Sequence, residues 1–279
     1  MIGLIDVGGG MRGIYGAGIL DCFLDNNIEP DYCIGVSAGS ANVASFLAKQ
    51  KGRNYRFYTV HAADKRYMSL GNYIKTRSYF DFDYIYGTLT NEVDRIDYGT
   101  LLASETKAVI VATEAETGES AYFTKNDFKP DDCRILMASC AIPPACLPVD
   151  VNGIKYFDGG VSDPVPVKKA IDDGCNRLIV ILTKPFGHIM RPERFPFVYK
   201  RLLKNYPKAA GALEKRDKTY MASIKTLKEM EYEGSAVVLA PEKPLELKIA
   251  SKNTGKLSAV YNQGYSDAEK KLDAVRKLW

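Results

Sequence analysis

The chain has 279 residues, of which 46% are hydrophobic and 26% charged, a composition typical of a folded globular protein and not of a fibrous or disordered one. Its 38 basic and 34 acidic residues leave a net charge of +4, an excess too small to indicate nucleic acid binding, although it allows mild attraction to an anionic surface. The length suits one large domain with a single buried core.

Features of targeting and metal binding are missing from the sequence. MIGLIDVGGG at the start lacks the basic region and long apolar run of a signal peptide, and no window of about 18 apolar residues predicts a membrane span. The six cysteines show no Cys-x-x-Cys spacing, and there are only two histidines. We therefore expect reduced thiols in a cytoplasmic protein that meets membranes only at their surface, with no metal ion and no cofactor.

Short apolar runs alternate with helical patterns along much of the chain. Buried strands are predicted for the apolar runs at residues 2–7, 31–36, 107–115, 177–183 and 235–241. Helices are predicted from the spacing of apolar residues at 12–26 and 40–50, and an amphipathic helix is predicted at 266–279. This order of elements predicts an α/β fold with a mostly parallel central sheet.

Two stretches interrupt this alternation. Residues 53–98 are rich in tyrosine and phenylalanine with weak periodicity, and residues 190–233 are basic and partly helical. Each is interpreted either as helices that are solvated or packed around the core, or as a cap over an acyl-binding site. Basic residues mixed with aromatic ones at 190–218 suit an anionic membrane surface, in a contact that should be weak and salt-sensitive. These residues are Arg191, Arg194, Lys200, Arg201, Lys204, Lys208, Lys215, Arg216 and Lys218, with Phe195, Phe197, Tyr199 and Tyr206.

A first glycine-rich corner, GGGMRG, lies between the first predicted strand and helix. It matches the G-x-G-x-x-G pattern through Gly8, Gly10 and Gly13. A dinucleotide-binding fold needs an acidic residue at the end of the second strand, where this chain has Ser37. Nucleotide binding and a purely structural turn stay as alternatives. The preferred interpretation is an oxyanion pocket formed by backbone N–H groups and the positive end of the helix, with Arg12 adding charge.

A second corner, GVSAGS, places Ser37 between Gly35 and Gly39, where the second strand meets a helix. The G-x-S-x-G pattern at such a junction predicts a nucleophile elbow, whose small neighbours allow the strand and helix to pack closely. An elbow serine usually works with a histidine base. His188 follows a predicted strand, so an ordinary Ser-His-Asp triad stays open, whereas His61 is interpreted as a surface or packing residue.

A third corner, IKYFDGGVSDPVP, supplies a carboxylate that could act as the base instead. Asp158 follows a short alternating strand and precedes Gly159 and Gly160. An aspartate in this setting is most often a turn residue. Its occurrence together with the other two corners makes it a candidate for catalysis.

Taken in this order, the three corners resemble the patatin-like phospholipase family. ASCAIPPACLPV, at residues 138–149, runs into the third corner and is similar to the family's approach to its aspartate. The resemblance covers about residues 2–185 and implies a three-layer α/β/α catalytic core with a nucleophile elbow. Residues 186–279 are expected to form an extension packed on the same domain.

The resemblance implies a serine–aspartate dyad that hydrolyses acyl esters of phospholipids or related lipids. Ser37 would form the acyl-enzyme, Asp158 would act as base, and the N–H groups of Gly9 and Gly10 with Arg12 would hold the oxyanion. Asp163 stands where family members often carry asparagine, which puts a second carboxylate near the site. A lipid-binding protein without activity, and an esterase or thioesterase that uses His188, are the alternatives.

Overall fold

The computed structural model describes residues 1–192 and 196–279. Within these residues one sheet has the order β5-β6-β3-β2-β1-β7-β8, with β4 paired to β3. Its strands are β1 (Ile2–Asp6), β2 (Tyr32–Val36), β3 (Lys107–Glu114), β4 (Ser120–Thr124), β5 (Val149–Val151), β6 (Ile154–Asp158), β7 (Arg177–Ile181) and β8 (Ala236–Leu239). Strands β3, β2, β1, β7 and β8 are parallel. The predicted α/β fold with a mostly parallel sheet is confirmed.

Helices cover both faces of this sheet. They are α1 (Ile14–Asp25), α2 (Ala38–Leu47), α3 (Arg53–Thr59), α4 (Leu70–Thr76), α5 (Tyr98–Ala103), α6 (Arg134–Cys140), α7 (Val167–Asp172), α8 (Pro196–Leu202), α9 (Pro207–Tyr232) and α10 (Thr254–Arg276). Because successive strand residues point to opposite faces, Leu4 packs in the core beneath α1, α2 and α10, whereas Ile5 packs with α7 and α9. The result is a three-layer α/β/α arrangement.

The tyrosine-rich segment 53–98 folds as short helices. It contains α3, α4 and the start of α5, together with a π-helix at Asp83–Val93. Since a π-helix closes its hydrogen bonds over five residues and not four, its apolar residues do not follow the 3.6-residue spacing of an α-helix. This explains the weak periodicity of the segment.

The C-terminal helix α10 begins at Thr254, twelve residues before the predicted start at 266. The side chain of Asn253 caps it by accepting a hydrogen bond from the N–H of Lys256 at 2.9 Å. Gly264 lets α10 cross α1 closely, because a Cβ atom there would lie 2.1 Å from the carbonyl oxygen of Tyr15. The C-terminal region thus packs directly on the N-terminal core, while the division at residue 185 stays a prediction.

Strands β2 and β6 approach one edge of β3 from opposite directions. The pairing of β2 with β3 ends at Val36, which lies opposite Val111. The pairing of β6 with β3 begins one residue further along β3, where Asp158 lies opposite Ala112. Because β4 pairs with residues 109–113 of β3, it must occupy the other edge. The carboxyl ends of β2 and β6 therefore face each other, which is the position of the second and third glycine corners.

No helix in the described part of the chain combines the length and apolar character needed to cross a bilayer.

Candidate active site

Ser37 is the single residue between the end of β2 and the start of α2. Its backbone has φ 57° and ψ −133°, a conformation that residues other than glycine rarely adopt and that commonly marks a functional site. Two hydroxyls hold it: the N–H of Ser37 donates to Ser139 Oγ at 3.0 Å, and Ser40 Oγ donates to the carbonyl of Ser37 at 2.6 Å. The fold therefore fixes the direction of the Ser37 side chain.

The two glycines of the elbow are required by close backbone approach. A Cβ atom at Gly35 would lie 2.5 Å from Ser40 Cα, and one at Gly39 would lie 2.2 Å from the carbonyl oxygen of Asp6. The first distance confirms that the residue two positions before the serine must be small because the strand and the helix pack closely there. The second shows that α2 begins against the end of β1 as well as against its own strand β2.

Asp158 meets Ser37 across the gap between β6 and β2. Its side chain lies within reach of the Ser37 hydroxyl, which acts on the Asp158 pKa, and its Oδ1 accepts from the N–H of Gly160 at 2.8 Å. The residue is only 2% exposed. Burial raises the pKa of Asp158 from 3.8 to about 6, against the opposing effects of the Ser37 hydroxyl, the Gly160 N–H and the positive charge of Arg216. The carboxylate is consequently more basic than a free aspartate while still ionised at neutral pH.

The glycines after Asp158 are also sterically fixed. A Cβ atom at Gly159 would lie 2.3 Å from the carbonyl oxygen of Val111, and one at Gly160 would lie 3.1 Å from Asp158 Oδ1. Together they let the chain turn away immediately after the carboxylate, so that the N–H of Gly160 points back to it.

The first corner lies directly against the elbow. Gly8, Gly9 and Gly10 have φ values of 61°, 119° and 60°, which favour glycine. A Cβ atom at Gly8 would lie 2.4 Å from both Gly39 N and the carbonyl oxygen of Val36. Among the described residues, no hydrogen bond uses the N–H of Gly9 or Gly10. Both donors therefore remain available beside Ser37. Gly13 lies immediately before α1, where a Cβ atom would stand 2.6 Å from the hydroxyl oxygen of Tyr58.

A buried polar network that no sequence motif indicates supports this corner. Asp6, at the end of β1, accepts from the N–H of Gly8 and from Asn42 Nδ2, each at 2.9 Å. Tyr58 in turn donates to Asn42 Oδ1 at 3.1 Å. Burial raises the pKa of Asp6 to about 6. The only sequence signal was an aspartate at the end of an otherwise apolar strand.

Arg12 belongs to the first glycine corner, and its side chain lines the same cavity as Ser37. Its Nε donates to the carbonyl of Gly9 at 3.4 Å. Burial, together with the nearby charge of Arg216, lowers the pKa of Arg12 from its usual value. The guanidinium is thus placed next to the unused N–H groups of Gly9 and Gly10.

The two histidines occupy different positions. His61 contacts Asp94 at 3.2 Å and does not line the cavity. His188 does line it, and burial together with Lys184, Arg12 and Arg191 lowers its pKa. Within the described residues, neither imidazole is hydrogen-bonded to Ser37.

A cavity of about 860 Å³ opens in front of Ser37 and Asp158. Its apolar wall comes mainly from the layer that contains α2, α3 and the π-helix, and includes Ala41, Ala44, Phe57, Tyr58, Tyr67, Phe80, Phe82, Ile85, Tyr86, Ile96, Leu136 and Ile142. Most of these residues belong to segment 53–98, which favours the interpretation that this segment surrounds an acyl site. Residues 184 and 187–191, together with α9, line the cavity elsewhere.

The fold and the elbow define an α/β protein with a serine held at the carboxyl edge of its sheet, the arrangement of an acyl hydrolase. The chain belongs to the patatin-like phospholipase family, whose family model matches residues 7–171. The family inferred from the three corners is therefore confirmed.

The chain is also similar to a second family model and to other proteins. Residues 206–279, which contain α9 and α10, match a domain of unknown function, DUF6363. The uncharacterized protein YjjU of Escherichia coli K12 is 29% identical over 198 residues, covering 70% of this chain and 55% of that protein, so the chain spans little more than half the length of that relative. The crystal structure of VipD from Legionella pneumophila aligns with a TM-score of 0.48 at 12% identity, covering 98% of this chain and 66% of VipD.

Proposed function

We propose that the protein is a serine lipid acyl hydrolase that works through a dyad of Ser37 and Asp158. The observation that carries this proposal is that the strained elbow serine faces a buried carboxylate, whose pKa is raised to about 6 and on which the Ser37 hydroxyl acts. A general base works best when its pKa approaches the working pH, and burial moves Asp158 in that direction. A free aspartate, with a pKa near 3.9, would be a much weaker base.

The reaction would proceed in two halves. Ser37 Oγ attacks the acyl carbonyl while its proton passes to Asp158, and the negative charge on the carbonyl oxygen is held by the N–H groups of Gly9 and Gly10 with Arg12. Collapse of this tetrahedral species breaks the ester bond, and Asp158 returns the proton to the departing alcohol. Asp158 then takes a proton from water as the water oxygen attacks the acyl-enzyme carbonyl. Collapse of this second tetrahedral species breaks the bond to Ser37 Oγ, which regains its proton from Asp158 as the fatty acid leaves.

The geometry favours this dyad over a triad that uses His188. The Ser37 hydroxyl acts on Asp158, whereas His188 is disfavoured in its protonated form by burial and by the charges of Lys184, Arg12 and Arg191. A catalytic histidine must become positively charged as it accepts the serine proton, so three neighbouring cations would oppose that step. No carboxylate of the described residues contacts His188 to offset them.

The substrates proposed are phospholipids, lysophospholipids or related acyl esters. The apolar wall of the cavity suits an acyl chain, and its volume suits a molecule of lipid size. We expect the purified chain to release fatty acid from a panel of phospholipid, lysophospholipid and monoacylglycerol with the same acyl chain. If every ester is bound but none is cleaved, the protein is a lipid-binding relative without activity.

We also propose weak contact with anionic membranes through α8. This helix leaves Phe197 69% exposed and Leu202 53% exposed, beside Lys200 and Arg201. Apolar and basic side chains on one short helix suit an anionic interface. Arg194 and Phe195 of the predicted basic surface lie outside the described residues. Co-sedimentation with vesicles at low salt should be stronger when they contain anionic lipid; equal binding to neutral vesicles would exclude this contact.

A further inference from the structure

Cationic side chains gather in the cavity that holds Ser37. Arg12 comes from the glycine corner, Lys184 and Arg191 from the segment after β7, and Arg216 from α9. Asp158 is the only carboxylate that lines this cavity within the described residues, and it is engaged with Ser37 and Gly160. The cavity therefore carries a clear excess of positive charge in a protein whose overall charge is nearly balanced.

Arg216 is the member of this cluster whose charge acts on both Arg12 and Asp158. Its Nε is buried and has no hydrogen-bond partner among the residues that the structure describes. Within residues 1–192 and 196–279, no carboxylate lies within ion-pair distance of Arg12, Arg191 or Arg216. A buried guanidinium nitrogen without a partner is costly, because it has lost water and gained no acceptor. An anion bound in the cavity would supply that acceptor.

The charges of the cluster also act on one another. Burial lowers the pKa of Arg12 and of His188, and nearby cations add to this: Arg216 acts on Arg12, while Lys184, Arg12 and Arg191 act on His188. Like charges brought together in a partly buried cavity repel, and the repulsion is relieved when an anion binds. Arg53 also lines the cavity, but it is held by Ser45 and lies 3.8 Å from Asp94, so it is not part of this cluster.

We propose that Arg12, Lys184, Arg191 and Arg216 bind the phosphate of the lipid substrate's headgroup, so that the enzyme prefers acyl esters with an anionic phosphate near the ester over uncharged glycerides. This inference rests on the proposed function. The acyl chain would lie along the apolar wall, the ester at Ser37 and the phosphate against the cations. Arg216 belongs to the region that matches a domain of unknown function, which would thereby take part in headgroup recognition.

The preference can be measured with two substrates that differ only in the phosphate, 1-dodecanoylglycerol 3-phosphate and 1-dodecanoylglycerol. We expect the ratio of their kcat/KM values to favour the phosphate ester and to fall at least about tenfold in Arg216→Gln, mainly through KM, since a charge-assisted hydrogen bond is lost. Lys215→Gln is the matched control, because Lys215 is the exposed neighbour of Arg216 on α9. An equal loss of kcat/KM on both substrates would mean that Arg216 acts on the pKa of Asp158 and not on the phosphate, and would overturn the proposal.

Binding provides a readout that does not depend on turnover. In a Ser37→Ala background, dodecyl phosphate should bind measurably by calorimetry, and adding Arg216→Gln should weaken it at least about tenfold. Inorganic phosphate should bind much more weakly than dodecyl phosphate; equal affinities would point to free phosphate and contradict a headgroup site. Headgroup binding without ester cleavage would refute the proposed function alone, whereas cleavage with an unchanged substrate ratio in Arg216→Gln would refute this inference alone.

Discussion

Ser37→Ala is expected to lower kcat for acyl ester hydrolysis by about 10³-fold or more, because no acyl-enzyme can form without the serine oxygen. The substitution adds no new strain, since alanine is no bulkier than the serine it replaces. Turnover of a lysophospholipid by the purified variant measures the effect, and a thermal melt checks that it is folded.

Ser162→Ala is the matched control for this variant. The Ser162 hydroxyl lies 2.8 Å from Thr113 Oγ1 and does not line the cavity, so its loss should leave most of the turnover intact. If Ser37→Ala keeps more than a tenth of the wild-type rate, another group carries out the attack and the proposed mechanism is wrong.

Asp158→Asn is expected to cause a loss of turnover of similar size, because an amide cannot accept the serine proton. In the wild type, kcat/KM should rise with pH through about 6, where Asp158 loses its proton. Asp163→Asn is the control for charge: its carboxylate accepts from Tyr122 at 2.8 Å and does not line the cavity, so activity should largely persist.

The raised pKa of Asp158 also predicts how Asp158→Asn changes the stability of the protein. The folded state holds the Asp158 proton up to about pH 6, whereas the unfolded chain releases it near 3.8. Ionising Asp158 therefore costs folding free energy, and stability is lost as pH rises through that window. Asp158→Asn avoids this cost and should be more stable than the wild type at pH 8 by at most about 3 kcal/mol, with the difference vanishing near pH 4.

His188→Ala separates the dyad from a triad. If Asp158 acts on Ser37 directly, the histidine variant should keep most of its activity. A folded His188→Ala protein without turnover, alongside an active Asp158→Asn protein, would establish a triad and contradict the dyad.

The three glycine corners were predictable because glycine is the residue that close backbone approach demands. Gly35, Gly39 and Gly8 are fixed by backbone atoms that approach within 2.5 Å of where a Cβ atom would stand, and such steric demands leave a direct mark in the sequence. The position of Asp158 opposite Ser37 follows from strand order around β3, which no local pattern reports. That pairing was available only through the resemblance to a family.

Other parts of the site depend on contacts between distant segments. Ser139 supports the backbone of Ser37 from α6, and Arg216 reaches the cavity from α9. From the sequence, Arg216 belongs with a basic membrane-facing surface, since a run of Lys and Arg residues does not reveal which of them points inward. The π-helix in segment 53–98 was hidden for a different reason, because its repeat differs from that of an α-helix.

Labelling with a fluorophosphonate tests the central claim most directly, since this probe reacts covalently with an activated serine. Intact mass followed by peptide mapping should show one adduct per chain, located on Ser37, with none in Ser37→Ala and slow labelling in Asp158→Asn. An adduct on another residue, or one that persists in Ser37→Ala, would contradict the assignment of Ser37 as the nucleophile.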